Sequence, residues 1–110
     1  MVKPKIKNNI ARLHALIKQL STIGPFARGS VVRIGPRKVP IFSLNKDKKT
    51  HLVYLGESRI AQATHYSQNY QQLLDLSEQI TLIVMELLRA GVPDREIWPP
   101  PLDPARKKRL

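Results

Sequence analysis

The sequence has no cysteine among its 110 residues. This absence excludes disulfide bonds, thiolate zinc sites and cysteine nucleophiles. It fits a reducing compartment, and we expect a cytoplasmic protein. Long hydrophobic runs are also missing, since no window reaches the ~18 consecutive apolar residues of a membrane span. The basic N-terminus leads into an amphipathic segment rather than the apolar core of a signal peptide, so we expect no membrane partner.

Patterns that would indicate catalysis are scarce. The histidines His14, His51 and His65 fall in different predicted elements, and no metal-binding spacing or glycine-rich phosphate loop occurs. We therefore expect no enzyme activity, no cofactor and no metal site. The six aromatic residues (one Trp, three Tyr, two Phe) also argue against a sheet carrying several base-stacking rings, such as that of an RNA-recognition motif.

Acidic residues are few, with eight against nineteen basic residues and a net charge of +11. The excess is uneven: residues 1–22 hold five basic and no acidic side chains, and residues 23–50 hold seven and one. Residues 51–91 instead hold two basic and four acidic side chains. Segregated positive charge favours a polyanionic partner, with nucleic acid first. The alternative is a basic protein whose charge serves only solubility.

Helical periodicity marks both ends of the chain. A first helix is predicted from about Lys5 to Thr22, before the helix-breaking pair Gly24-Pro25. A second, longer helix is predicted between Gly56 and Ala90. Their apolar tracks predict an antiparallel, coiled-coil-like helical hairpin. The track of the first helix consists of Ile6, Ile10, Leu13, Ile17 and Leu20.

The C-terminal half of the long helix is apolar on more than one face, and such a helix needs an additional partner. We expect a homodimer, or a different protein partner, at this part of the helix. The expected contact residues are Leu73, Leu76, Ile80, Ile83, Val84 and Leu87.

Between the helices, three short β-rich runs predict strands at Ser30–Ile34, at 39–44 and at 50–55. Turn-forming residues at 35–38 and 45–49 predict an antiparallel meander. Pro40 favours an edge position for the second strand. The expected fold is therefore α+β, with a single α-β-β-β-α domain over residues 1–91 and a Pro-rich basic tail over residues 92–110.

Basic residues concentrate near the predicted turns and in the tail. Lysine and arginine at turns can bind phosphates, and arginine can also make a bidentate hydrogen-bonded contact with guanine. Taken alone, turn lysines and a charged terminus also suit simple solvation. The candidate nucleic-acid-binding residues are Arg28, Arg33, Arg37, Lys38, Lys46, Lys48, Lys49, Arg106, Lys107, Lys108 and Arg109.

Residues 20–32 have the form LxxxGPFxxGSVV, and Asn69-Tyr70 follows in the long helix. In these motifs the chain resembles a small uncharacterised bacterial family often encoded near transposases and other mobile elements. Many relatives carry a cysteine cluster in the first hairpin, which residues 34–42 lack, so a metal role does not transfer. The resemblance covers about residues 16–90 and implies DNA-related work. From the residues themselves, we expect Phe26 to anchor the turn under the sheet.

The leading hypothesis is a non-enzymatic nucleic-acid-binding accessory protein, with DNA favoured over RNA and an association with a mobile element or phage. One alternative is an oligomeric protein-protein adaptor that acts through the long helix. Another is an RNA-contacting subunit of a ribonucleoprotein.

Overall fold

The computed structural model describes residues 4–99. Helix α1 (Pro4–Ser21) precedes strands β1 (Ser30–Ile34), β2 (Val39–Lys46) and β3 (Lys49–Tyr54). A 3₁₀ turn (Glu57–Arg59), the long helix α2 (Ile60–Arg89) and the short helix α3 (Asp94–Ile97) follow. The predicted α+β class and antiparallel meander are confirmed. The predicted tail residues Arg106, Lys107, Lys108 and Arg109 lie outside the described residues.

The described residues form two compact units, one of residues 4–18 with 78–99 and the other of residues 19–77. In the first unit Leu13, Leu16, Ile83 and Leu87 are buried, and Nε2 of His14 lies 3.1 Å from the carbonyl oxygen of Ile97. In the second unit the buried apolar residues are Ile41, Leu55, Ala63 and Leu76.

The buried stripe of the first helix is shifted from the predicted track, because Leu16 is buried where Ile17 was expected. In the long helix, Ile83 is more buried than its neighbours Ile80 and Val84. The shift arises because a helix has 3.6 residues per turn. Two neighbouring residues therefore compete for the centre of each stripe, and only the packing partner decides between them.

The sheet has the order β1-β2-β3, and its register runs from Ser30↔Ser43 to Ile34↔Val39 and from Ile41↔Tyr54 to Lys46↔Lys49. The bounds predicted for β1 are confirmed. The second turn is tighter than predicted, because β2 and β3 extend into it and leave Asp47 and Lys48 alone at the tip. Both tip residues have positive φ, 56° and 64°, as a type I′ hairpin turn requires.

The predicted edge position of Pro40 is wrong, because β2 is the central strand. The carbonyl of Pro40 accepts a hydrogen bond from the amide of Leu55 at 3.1 Å, and the reciprocal bond would need the N–H that proline lacks. Strand β3 ends at Tyr54, so this missing bond falls just beyond the ladder. A central strand therefore accommodates proline here at the cost of one terminal hydrogen bond.

The GPFxxGS segment is held by one turn of α2. Asn69, which is 5% exposed, donates from Nδ2 to the carbonyl of Pro25 at 2.7 Å. Ser67 donates from Oγ to the carbonyl of Gly29 at 2.8 Å. The amide of Ala27 donates to the carbonyl of Tyr66 at 3.2 Å. Three hydrogen bonds thus fix the entry into β1.

Two aromatic features complete this segment. A β-carbon on Gly29 would lie 2.6 Å from the Phe42 ring, so this position requires glycine. The expectation that Phe26 anchors the turn under the sheet is wrong. Its side chain is about half exposed, and its ring centroid lies 6.2 Å from that of Tyr70 on α2.

Candidate nucleic-acid interface

The first basic turn joins β1 to β2 over residues 35–38. The amide of Lys38 donates to the carbonyl of Gly35 at 3.1 Å, which closes the turn. Lys38 has a positive φ of 54°, and both Arg37 and Lys38 are exposed. The tight turn therefore presents two adjacent cationic side chains to solvent at one end of the sheet.

The second basic turn lies at the opposite end of β2, and it has one more cationic side chain than residues 45–49 supply. Nη1 of Arg28 donates to the carbonyl of Asn45 at 3.1 Å, which brings this distant arginine to the turn. Nζ of Lys46 lies 3.1 Å from Oδ2 of Asp47, so one lysine is paired with the acidic residue at the tip. We call Arg28, Lys46, Lys48 and Lys49 the second-turn cluster.

Arg33 is engaged in an ion pair. Its guanidinium donates to both carboxylate oxygens of Glu57, at 3.1 and 3.3 Å, and to the carbonyl of Lys38 at 3.0 Å. The hydrogen bond from Arg33 and its positive charge lower the pKa of Glu57, and the same pair raises the pKa of Arg33. A phosphate must therefore compete with Glu57 for this arginine.

The predicted basic residues thus form two groups. Because consecutive hairpin turns of a meander lie at opposite ends of the middle strand, the length of β2 separates them. Eight residues at ~3.3 Å each span about 25 Å. A single phosphate cannot contact both groups, whereas an extended polyanion can.

Side chains alternate between the two faces of the sheet, and directly paired residues share a face. One face carries Phe42, Val53 and Leu55, which line a cavity of about 190 Å³ together with Ala63 and Tyr66 of α2. Its rim is polar, since Gln62 donates from Nε2 to the Tyr66 hydroxyl at 2.8 Å. This face therefore packs toward the start of α2.

The second face is apolar at its centre and was missed by sequence reasoning. We call Val32, Ile34, Ile41, Leu52 and Tyr54 the apolar face. Ile41 is buried, yet the four residues around it keep exposed fractions of 38% (Val32 and Ile34), 44% (Leu52) and 62% (Tyr54). Alternation within THLVYL was a usable signal, but only the strand register brings these five residues together.

The residues predicted for oligomerisation are largely covered within the single chain. Leu76, Ile83 and Leu87 are buried, and Leu73, Ile80 and Val84 are half-buried. The exposed apolar residues of α2 are instead Leu74, Leu82, Met85 and Leu88. Dimerisation stays a prediction, but a partner would first meet this second set.

A comparison of the chain with protein-family models, characterised proteins and solved structures finds no match. Within residues 4–99, no helix is long and apolar enough to cross a membrane. In the same part of the chain, no three His, Asp or Glu side chains are grouped so that they could hold a metal ion.

Proposed function

We propose that the protein binds nucleic acid, without catalysing a reaction on it, through the two basic turns of its sheet. The cationic groups at the ends of β2 would contact phosphates of one extended strand or groove. Such contacts supply affinity without reading sequence. We favour DNA over RNA, in a cytoplasmic role tied to a mobile element or phage, because of the resemblance carried by the GPFxxGS segment.

The observation that carries the proposal is the backbone conformation of two lysines. Among the described residues, three that are not glycine have left-handed φ values, and two of these are lysines: Lys38 at 54° and Lys48 at 64°, beside Asp47 at 56°. Glycine or asparagine is favoured in this conformation. A side chain there costs roughly 1–2 kcal/mol. Positions that give up stability in this way are often functional. Both lysines are also exposed, which suits contact with phosphate.

The test is a binding titration against duplex DNA, single-stranded DNA and structured RNA at two salt concentrations. For duplex DNA, the affinity should fall with salt at a slope near 0.9 per phosphate contacted. The combined Lys46/Lys48/Lys49→Ala variant should lower this slope by up to about 2.7, since three contacts are removed.

A matched control removes the same charge from α1 through Lys5, Lys7 and Arg12→Ala, three exposed residues far along the sequence from the turns. This control should lose much less affinity than the turn variant. Equal losses would mean that binding follows net charge and not the turns. Absence of binding to all three nucleic acids would end the proposal.

An oligomeric adaptor is the second candidate, favoured by the exposed Leu82, Met85 and Leu88 on α2. Spacing of three residues places them on one side of the helix.

We also propose that α1 and α2 form the antiparallel helical hairpin expected from the sequence. One groove between them is lined by Asn9, Arg12 and Ile83 among others, which supports this arrangement.

The adaptor predicts that Leu82, Met85 and Leu88→Ser together shift the sedimentation coefficient toward a monomer and leave folding intact. Binding by apolar burial should also depend only weakly on salt, unlike phosphate binding. A wild-type protein that is already monomeric at all tested concentrations would contradict the homodimer.

A further inference from the structure

One whole face of the sheet carries no charge, although the chain has a net charge of +11. The strand registers place ten residues on it, and none is lysine, arginine, aspartate or glutamate. They are Ser30, Val32, Ile34, Val39, Ile41, Ser43, Asn45, Thr50, Leu52 and Tyr54. The charged strand residues Arg33, Lys46 and Lys49 fall on the opposite face by the same alternation.

The apolar face lies between the two basic turns. At one end are Arg37 and Lys38, and at the other are Lys48 at the tip of the second turn and Arg28 beside Asn45, whereas Lys46 and Lys49 belong to the opposite face. Between the turns this face offers no cationic side chain to a phosphate. It does offer an exposed aromatic ring on the side of the first turn, because Tyr54, which ends β3 and pairs with Ile41 near the start of β2, is 62% exposed. Cationic ends with an uncharged surface and an aromatic ring between them match a ligand with anionic groups along its length and flat apolar groups beside them.

We propose that the apolar face binds the unpaired bases of single-stranded DNA, with one base stacked on Tyr54 and phosphates several nucleotides apart along the strand bound at the two basic turns. This inference rests on the proposed nucleic-acid function and specifies its ligand. Bases stack readily on aromatic side chains in single-strand binders, and every base has a π-face. A duplex hides these faces within its own stack, so it cannot use the centre of the sheet.

The dimensions agree with this ligand. The span of about 25 Å along β2 accommodates about seven stacked nucleotides at 3.4 Å each. Hydrogen-bonding groups also occur on the face. Thr50 donates from Oγ1 to Oδ1 of Asn45 at 2.8 Å, which orients the amide and leaves its Nδ2 to donate to a base edge.

The uncharged surroundings of Tyr54 favour DNA over RNA as the single strand. Ile41 pairs directly with Tyr54, and Leu52 is the next residue of β3 on the same face. These immediate neighbours of Tyr54 offer no partner for a 2′-hydroxyl group, since Thr50 and Asn45 lie toward the second turn. The apolar sugar of DNA contacts such side chains without leaving a polar group unmatched.

The experiment compares strands of about 12 nucleotides, longer than the sheet requires. The probes are an oligothymidylate, an abasic strand with the same number of phosphates, the RNA of equal sequence, and a duplex. Each is titrated against wild type, Tyr54→Val and Tyr54→Phe. Valine keeps the apolar, strand-favouring character and removes the ring, whereas phenylalanine keeps the ring. Val53→Ala, next in the strand but on the opposite face and similarly exposed, is the matched control.

We expect wild type to bind oligothymidylate at least about fivefold more tightly than the abasic strand, as stacking of one base predicts. Tyr54→Val should remove this preference, while Tyr54→Phe and Val53→Ala retain it. Affinity for the abasic strand should be the same in all four proteins, because its phosphates contact only the turns.

Three results would overturn the inference and leave nucleic-acid binding through the basic turns standing: equal affinity for intact and abasic strands, no effect of Tyr54→Val, or tighter binding of RNA than DNA, which would also reverse the preference for DNA. A loss of self-association in Tyr54→Val, measured by sedimentation, would assign the face to a second copy of the chain instead. If none of the four probes binds, the proposed function itself fails.

Discussion

Arg59 donates a hydrogen bond from Nε to the backbone carbonyl of Leu55 at 2.8 Å, and this carbonyl is the acceptor that Pro40 leaves unpaired. The amide of Leu55 bonds to the carbonyl of Pro40, and a non-proline residue at position 40 would return the bond. A second bond from Arg59 reaches the carbonyl of Tyr54. One side chain of the 3₁₀ turn thus completes the ladder where proline interrupts the central strand.

Substitution of Arg59 by Met should lower the free energy of unfolding by about 1–2 kcal/mol, because the Leu55 carbonyl loses its donor. The effect should shrink in a Pro40→Val background, where a backbone N–H replaces that donor. Urea denaturation of the four proteins of this double-mutant cycle measures the coupling. Additive effects would show that Arg59 does not substitute for the missing ladder bond.

Substitution of Asn69 by Ala should cost about 1–3 kcal/mol, because it leaves the carbonyl of Pro25 without its donor beside a buried position. The neighbouring Gln68→Ala, at an exposed position of the same helix, is the control and should change stability by at most about 0.5 kcal/mol. The midpoint of urea unfolding reports both. Equal stabilities would mean that the GPFxxGS segment is held without Asn69.

The ion pair of Arg33 and Glu57 should make stability depend on pH in the acid range. Arg33 lowers the pKa of Glu57 in the folded state, so the pair stabilises the protein above the ordinary pKa of glutamate. This contribution is lost as the pH falls through the lowered pKa. Glu57→Gln should therefore show a shallower loss of stability on acidification, measured by thermal unfolding at a series of pH values.

The same Glu57→Gln variant should strengthen nucleic-acid binding, because it frees Arg33 and removes a negative charge near the first turn. The gain expected from an exposed pair is at most about fivefold. Glu86→Gln, which disrupts the ion pair with Arg89 on α2, changes net charge equally and is the control. A gain of the same size in both variants would exclude a particular role for Arg33.

Substitution of Lys48 by Gly should change stability and binding in opposite directions. Glycine adopts the left-handed conformation of this turn without the steric cost of a side chain. The free energy of unfolding should therefore rise by about 0.5–1 kcal/mol. Binding to nucleic acid should weaken, because one phosphate contact is lost. A stabilised variant with unchanged affinity would leave the left-handed lysine without the function proposed here.

The sequence alone determined those features that local physical chemistry controls. Helix-breaking Gly24-Pro25 ended α1 within a few residues of its predicted end, and the β-branched run Ser30–Ile34 became β1 at its predicted bounds. The basic turns were also predictable, because short segments between strands have few conformations and their charge is readable directly.

Tertiary structure decided what depends on residues far apart in the sequence. Only the register joined Val32, Ile41 and Tyr54 into one uncharged face, since a shift of one residue would have moved each to the other side. A single hydrogen bond to the carbonyl of Asn45 brings Arg28 to the second turn, and Arg33 forms an ion pair with Glu57. The central strand accommodates Pro40 because its partner Leu55 lies just past the end of β3, so the hydrogen bond that proline cannot donate falls outside the ladder. No local sequence pattern encodes this relationship.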